Sequence, residues 1–450
     1  MTALLTLLAG YSFWVAGIRL SHVKGSYRRS TEYWWGFSAF FFGGVGTLGS
    51  FEITALTSTQ GIAIRVAPPL VLGIIMTVRI ALSRSAFIPP AGLALLLFFG
   101  LLIVGESGLM PFASFLAYLP AIFIPKEGYN LDSLRAGATA GVSLALTTIF
   151  ILVLLMPGAV IGPCHSAVKC TFFGFSLGTL SAGNALGMYL SAASAITLLS
   201  SKKWRSFLLT LSGGFILTAL TASRSGLASW YVIVALVVIY RISEHLRNRL
   251  PLILAVFSVC ILAAAMPLMN WRASELTYRP ILWWHAINLF ERSPLLGYGA
   301  SYWARDDNRF RSGRGFSLGL NYATHNIVLE LLISAGALGM LVFLSALILA
   351  TLNVREFSAS LYVIALVGVF VALSLTEVTS APGRTYLFDG IGIYVFMAAC
   401  TTASISNTKS PGNGDRRLRM PPLPSRTRAI NTFPETSPGS AHRRRHRTRT

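Results

Sequence analysis

Charge is the scarcest property of this sequence. Only 12% of its 450 residues are Asp, Glu, Lys or Arg, while 54% are apolar, and charged residues make up about a quarter of a soluble globular chain. Too few charged side chains remain to cover a soluble surface, which excludes a soluble enzyme. With a mean hydropathy of +0.64, the composition predicts an all-α polytopic membrane protein, because apolar surface of this extent requires lipid as its solvent.

Motifs for nucleotides and metals are absent as well. The chain has no P-loop, no Gly-x-Gly-x-x-Gly after a strand and no Asp-x-Asp pair that would hold a magnesium nucleotide sugar. Cys164, His165 and Cys170 share one predicted outward loop, but no fourth ligand lies nearby and their spacing matches no zinc pattern. We therefore predict no cofactor and no metal. Whether Cys164 and Cys170 form a disulfide is left open by their spacing.

Long apolar runs, by contrast, are abundant. A helix needs about 20 mostly apolar residues to cross a bilayer, and this criterion predicts about 12–13 transmembrane helices. The weakest span, 109–124, is short and contains Pro111 and Pro120, so a re-entrant or interfacial segment is its alternative. The first span lacks the charged start and cleavage site of a signal peptide, so we predict that it is retained. The predicted spans are 2–18, 34–55, 61–78, 86–104, 109–124, 136–156, 171–200, 207–221, 227–240, 251–268, 326–350, 359–375 and 387–403.

Lys and Arg concentrate in alternate loops, which the positive-inside rule assigns to the cytoplasm. The other loops then face outward, and they include one large loop between Leu268 and His325. The same alternation places the amino terminus outside. We predict a transmembrane domain, 1–404, that includes the outward loop 269–325, followed by a disordered basic cytoplasmic tail, 405–450.

The predicted tail has eleven Lys and Arg from Lys409 onward, against Asp415 and Glu435. Such a segment either acts as a solvated topology anchor or holds anionic lipid headgroups, at about 1 kcal/mol per basic residue. Its arginines are not interleaved with the aromatic residues that stack on bases. The net charge of +21 therefore does not indicate nucleic-acid binding.

The large outward loop carries more positive than negative charge, with seven arginines against four acids. Because outward loops are usually poor in arginine, a bound anion is one explanation. The alternative is that the arginines pair with the acids and with lipid phosphates. That alternative is favoured for those that crowd into a Gly- and Ser-containing stretch, namely Arg305, Arg309, Arg311 and Arg314.

Two other arginines and a histidine are better placed for chemistry. Arg224 lies in a short outward turn, where we expect two neighbouring helices to fix it and little solvent to surround it. Arg279 precedes an apolar stretch containing Trp283 and Trp284, which predicts a helix lying in the membrane interface. His325 begins the next span at the water boundary, and an imidazole there accepts a proton at neutral pH. A structural role is the alternative for each.

Three stretches together resemble the O-antigen ligase and polymerase family. His325-Asn326, nine residues and Gly336-Ala337-Leu338-Gly339 resemble its His-Asn-x9-Gly-x-x-Gly signature, at the end of the large outward loop. Upstream, 279–283 and 293–299 resemble its Arg-x-x-x-Trp segment and Pro-Leu-Leu-Gly-x-Gly turn, and 223–226 is similar to its short arginine motif. The likeness is densest over 178–339, whereas the amino-terminal third agrees only in hydropathy.

The resemblance implies a multi-pass glycosyltransferase of the bacterial inner membrane whose active site faces the periplasm. It would move an oligosaccharide from undecaprenyl diphosphate to an acceptor hydroxyl, without metal and with inversion. Its partners would be the lipid-linked glycan donor, a glycan or lipid A-core acceptor, and membrane lipids. His325 would act as the base, and Arg279 and Arg224 would stabilise the leaving diphosphate. The predicted substrate-binding residues are Asn326, Arg305, Arg309, Trp283, Trp284 and Asp389.

The resemblance covers polymerases, ligases and protein O-oligosaccharyltransferases alike. A transporter or flippase of lipid-linked oligosaccharide is the alternative function, since Glu52, Arg65 and Glu106 lie near apolar spans and intramembrane charges often line translocation routes. Against a transporter, we detect no internal repeat and no matched pair of interrupted helices.

Overall fold

The protein is an all-α polytopic membrane protein, as the sequence predicts. A computed structural model describes residues 2–20, 30–48, 58–83, 86–104, 109–163, 171, 175–177, 182–272, 275–300, 302, 324–354, 356–375 and 389–400. The chain divides into two units, Met1–Ile405 and Ser406–Thr450, and the second lies outside the described residues. The predicted disorder of the tail therefore stays a prediction.

The described residues form fifteen α-helices, and each of the thirteen predicted spans overlaps one of them. The other two helices, α7 and α12, lie between spans. The helices are α1 (Thr2–Leu20), α2 (Thr31–Leu48), α3 (Ser58–Leu82), α4 (Pro90–Val104), α5 (Leu109–Ile122), α6 (Leu131–Leu155), α7 (Pro157–Val160), α8 (Ala182–Ser200), α9 (Trp204–Leu220), α10 (Arg224–Leu246), α11 (Leu250–Ala265), α12 (Arg279–Arg292), α13 (Ile327–Leu352), α14 (Phe357–Leu373) and α15 (Asp389–Ala399).

Two small antiparallel pairs of strands join loops at the ends of the bundle. Strand β1 (Ala86–Phe87) pairs with β2 (Ile124–Pro125), and β3 (Ile161–Pro163) pairs with β4 (Phe175–Leu177). The predicted span 171–200 is therefore too long at its start, because β4 occupies its first part and α8 begins only at Ala182. The segment for which a re-entrant alternative was open forms α5, with Pro120 inside the helix.

Four of the described helices are long and apolar enough by themselves to cross a membrane: Leu131–Leu155, Arg224–Leu246, Leu250–Leu268 and Ile327–Leu352. Several others are apolar but shorter, such as Trp204–Leu220 and Phe357–Leu373. The lipid-facing character is clearest on α11, where Ile253, Leu254, Phe257 and Ile261 are exposed.

The centre of the bundle is formed by α8, α14 and α15. Every residue from 185 to 199 in α8, from 359 to 373 in α14 and from 391 to 399 in α15 is buried. A helix that is apolar on all sides is expected to be surrounded by other helices rather than by water. These three helices therefore provide the scaffold on which the ends of the other helices are positioned.

Small residues bring the surrounding helices into backbone contact. Helices α2 and α6 run side by side, and the Cα of Gly137 lies so near the carbonyl of Tyr33 that an added Cβ would overlap it. Gly141 approaches Phe37 in the same way. Such contacts are typical of helix pairs in membranes, where packing replaces the hydrophobic driving force.

The two ends of the bundle can be told apart by side-chain contacts. At the first, here called the His325 end, Ser229 Oγ in α10 donates to Ala372 O near the end of α14 (3.0 Å), and Ile327 N donates to Ser374 O (3.2 Å). At the second, the Arg135 end, Arg241 in the last part of α10 donates to Ser201 O in the turn after α8, and both lie where the sequence predicts cytoplasmic loops. Helix α1 runs antiparallel to α9 and begins at the His325 end.

We expect Gly137→Ala to lower the free energy of unfolding by about 1–3 kcal/mol, since the new methyl group overlaps backbone that cannot move aside. Gly100→Ala is the matched control, because nothing lies within 4 Å of the added Cβ. In an exposed helical position, this change is expected to be neutral or to stabilise by up to about 1 kcal/mol. Thermal unfolding of both variants in detergent tests this, and equal melting temperatures would contradict the α2–α6 contact.

Candidate functional site

The structure places the three predicted catalytic residues at the same end of the bundle. Arg224 is the first residue of α10, whose N-cap Ser223 accepts from Gly226 N (3.0 Å). Arg279 is the first residue of α12, and His325 lies two residues before α13. The prediction that little solvent surrounds Arg224 is wrong, because its side chain is exposed, whereas Arg279 and His325 are half-buried.

His325 adopts a left-handed backbone conformation, with φ of +54°. Residues other than glycine seldom adopt it, and when they do the surrounding structure must hold them there. Both neighbours of His325 in sequence, Thr324 and Asn326, are completely buried. The histidine is therefore the one residue of this tripeptide that reaches the surface.

Asn326 is held by hydrogen bonds at both ends of its amide. Its Oδ1 caps α13 by accepting from Val328 N (3.0 Å) and Leu329 N (3.2 Å). Its Nδ2 donates to Ala263 O at the end of α11 (2.9 Å) and to Leu375 O after α14 (3.3 Å). Two acceptor and two donor positions are all that an asparagine amide has. Asn326 thus ties three helices together at the base of His325.

Thr324 is fixed by a buried carboxylate. Glu330, one turn into α13 and 1% exposed, accepts from Thr324 N (3.0 Å) and lies 3.1 Å from Thr324 Oγ1. On the other side, Thr324 O accepts from Trp283 Nε1 in α12 (2.8 Å). We call Thr324, Asn326, Glu330 and Trp283 the Asn326 hub, because together they set the backbone on both sides of His325.

Helix α13 is broken at Gly336, whose φ of +64° and ψ of −172° are available almost only to glycine. The break separates two carbonyls from the amides that would bond them in a continuous helix. These are the carbonyls of Ile333 and Ser334 and the amides of Ala337 and Leu338. Backbone groups freed within a membrane must find other partners, because no water is available there.

The turn after α12 supplies those partners. Tyr298 N and Gly299 N donate to the two carbonyls (2.6 and 3.0 Å), while Pro294 O and Leu295 O accept from the two amides (2.8 and 3.2 Å). We call this arrangement the clasp, formed by 294–299 and 333–338. A Cβ on Gly297 would overlap the α13 backbone, which explains a glycine there. The turn after α12 thus approaches the backbone of α13 closely at Gly336.

Helix α12 therefore runs beside the first part of α13, with its start near Thr324 and its following turn near Gly336. It does not lie separately in the interface as predicted. Trp283 is completely buried between the helices, while Trp284 is exposed. Burial of Trp283 and saturation of the Asn326 amide leave neither side chain a polar group for substrate. Their predicted role in substrate binding stays a prediction, and in the structure both side chains bond to the backbone around His325 or to the helix ends beside it.

The positive ends of three helix dipoles, those of α10, α12 and α13, lie at the His325 end. Acidic residues are favoured in the first turn of a helix. Arginine stands instead at the first position of α10 and of α12. Two guanidinium groups added to helix amino termini make this end suited to an anion such as a phosphate.

Several other predicted residues lie outside the part of the chain that the structure describes. Arg305, Arg309, Cys164, His165 and Cys170 lie outside the described residues, and Asp389 opens α15 with its side chain not described. Cys260 and Cys400 are free thiols. Within the described ranges, no three His, Cys, Asp or Glu side chains are grouped to hold a metal ion.

Sequence reasoning missed Glu330. The available signal was a carboxylate inside an apolar run five residues after His325, where an ionisable residue is costly unless it has buried partners. A second histidine, His285 in α12, differs from His325 in its surroundings. Burial and the neighbouring Arg292 lower the pKa of His285 below its ordinary value.

We expect Glu330→Leu to destabilise the protein by about 1–3 kcal/mol, because Thr324 N and Oγ1 lose a buried acceptor. Glu330→Gln retains one acceptor oxygen and should recover most of that loss. Glu291→Leu, at an exposed position of α12, serves as the control. Melting temperatures in detergent test whether the Leu variant is less stable than the Gln variant. A Gln variant as unstable as the Leu variant would contradict the role of Glu330 as a buried acceptor.

Comparison with known proteins agrees with the motifs. Residues 207–344 match the family described as O-antigen ligase, a segment that runs from α9 through the Asn326 hub and the clasp into α13. No curated protein matches the chain. The resemblance drawn from the His-Asn and arginine motifs is thereby confirmed, over the segment of the chain that carries those motifs.

Proposed function

We propose that the protein is an integral-membrane glycosyltransferase. It moves an oligosaccharide from an undecaprenyl-diphosphate carrier to an acceptor hydroxyl, without metal and with inversion, on the outward face of a bacterial inner membrane. The observation that carries the proposal is the Asn326 hub. It presents His325 on a left-handed backbone at the end of the bundle where Arg224 and Arg279 begin their helices.

The chemistry follows from these groups. The acceptor hydroxyl oxygen attacks the anomeric carbon of the donor sugar while its proton passes to the imidazole of His325. The bond from that carbon to the diphosphate oxygen breaks, and the electron pair leaves with the diphosphate. Arg224 and Arg279 stabilise the charge that develops there. Attack opposite to the leaving group inverts the anomeric centre.

The acceptor distinguishes the variants of this function. A polymerase would extend a glycan, a ligase would transfer the glycan to a lipid A-core acceptor, and a protein O-oligosaccharyltransferase would modify a protein hydroxyl. The family match supports the shared chemistry of a lipid-linked donor.

Transport of the same lipid-linked oligosaccharide is the second candidate. It was motivated by Glu52, Arg65 and Glu106, whose side chains lie outside those that the structure describes. The arginines at the His325 end would serve either function, since both bind a diphosphate. A histidine held by buried neighbours on both sides favours transfer, because binding alone has no use for a base.

Purified protein is expected to convert lipid-linked donor and acceptor hydroxyl into a longer glycan or a glycosylated acceptor in the presence of a metal chelator. Product is measured by mass spectrometry of the glycan. A strict requirement for added divalent cation would overturn the metal-independent mechanism. Movement of donor across vesicles with no product under any acceptor would identify a transporter instead.

His325→Gln is expected to lower kcat by about 100- to 10,000-fold, the range over which a general base contributes. His285→Gln is the matched control and should retain activity, since His285 is a half-buried histidine within α12 and lies outside the tripeptide that the Asn326 hub holds. Arg279→Gln should lose about 100-fold or more as a stabilising cation is removed. Equal activity of the two histidine variants, with melting temperatures unchanged, would exclude His325 as the base.

A further inference from the structure

A polar cavity of about 700 Å³ lies at the Arg135 end, across the bundle from His325. The ends of five helices surround it: the starts of α2, α6 and α14 and the ends of α8 and α10. None of the residues proposed for glycan transfer lines it. The cavity therefore needs an explanation of its own, and that explanation does not depend on the proposed function.

Arg135 is the first observation that points to a ligand. Its guanidinium carbon lies 3.5 Å from the ring centroid of Tyr362, and only 20% of the side chain is exposed. Its Nε is buried without a hydrogen-bond partner in the described part of the chain. Its carboxylate neighbour, Asp132, is 4.0 Å away and is itself 65% exposed. A guanidinium held in this way at a cavity wall is suited to an anionic group such as phosphate.

The second observation is that, among the described residues of the lining, carboxylates outnumber cations. Lys202 and Arg241 join Arg135 as the cations, and Arg241 already pairs with Glu244 at 3.2 Å. A simple anion would be repelled by the remaining acids. A simple cation would provide no negative charge for Arg135. The lining acids are Glu32, Glu127, Asp132, Glu244 and Glu356.

Both observations are satisfied by a ligand that carries a phosphate and an ammonium group together. The cavity is built from helix ends, which is the depth of lipid headgroups in a protein that spans the bilayer. We propose that this cavity binds the headgroup of an ethanolamine phospholipid. Its phosphate binds Arg135 and Lys202, and its ammonium donates N–H groups to the carboxylates.

Related lipids differ in ways that the cavity should distinguish. A phosphatidylglycerol headgroup has the phosphate but no cation, so it meets excess carboxylate. A phosphatidylcholine headgroup has the same charges as the ethanolamine lipid, but its quaternary nitrogen has no N–H to donate. Stepwise N-methylation of the ethanolamine lipid should therefore weaken binding while leaving the net charge unchanged.

Native mass spectrometry of the full chain in detergent tests this, with three lipids that share the same acyl chains. We expect the ethanolamine lipid to bind about tenfold more tightly than the choline and glycerol lipids, as expected for charge-assisted hydrogen bonds. Arg135→Gln and Lys202→Gln should weaken its binding, and Glu356→Gln should reduce the preference over choline. Arg205→Gln and Glu291→Gln, both exposed and outside the lining, should change neither.

Equal affinity for the three lipids, or affinities that none of the lining variants changes, would overturn the proposal. If soluble phosphoethanolamine binds the cavity but the ethanolamine lipid does not, the ligand is a soluble molecule, and the assignment to a lipid headgroup is overturned. Arg135 packs on Tyr362, so its variant is accompanied by a melting curve. Lys202 and Glu356 are exposed, and their variants decide the result if Arg135→Gln does not fold.

Discussion

The amide of Asn326 is the interaction on which the His325 end depends. Its four hydrogen bonds join the end of α11, the start of α13 and the segment after α14. Each buried bond contributes only about 1 kcal/mol net, but breaking one leaves a polar group without a partner at a cost of about 1–3 kcal/mol. The geometry around His325 is therefore maintained because losing any one of these four hydrogen bonds would leave a buried polar group without a partner.

The hub and the clasp act on the two ends of the same segment of α13. The hub fixes where the helix begins, and the clasp fixes the turn at which it breaks. Trp283 belongs to the hub and the turn at 294–299 to the clasp, so α12 is attached at both ends. Because α12 begins with Arg279, the same two attachments hold that arginine at the end of the bundle where His325 lies.

The two ends of the bundle differ in electrostatic character. At the His325 end, arginines stand at helix amino termini, which adds positive charge to positive dipoles. At the Arg135 end, acids occupy the first turns of α2 and α6, where they stabilise the helices, and they line the same cavity as the described residues Arg135, Lys202 and Arg241. One end is therefore suited to an anion and the other to a ligand of both charges.

Much of this architecture could be predicted because it depends on local properties of the chain. Thirteen apolar spans predict thirteen helices, since the bilayer requires every backbone group to be paired within its own segment. Alternating loop charges predict which helix ends lie on the same side of the membrane. The motif spacings of His325, Arg279 and Arg224 predict the family. Each of these signals is a matter of composition or spacing and needs no knowledge of neighbours.

Tertiary structure decided the roles that depend on partners distant in sequence. Trp283 and Asn326 have the polar groups of ligand-binding residues, and only their bonds to Thr324, Ala263 and Leu375 show that those groups are already occupied. A donor or acceptor can be satisfied by any backbone group that the fold brings near, and spacing along the chain does not specify which one. The sequence likewise marks Gly336 as part of a motif, but only the structure shows that the turn after α12 bonds to the backbone around it.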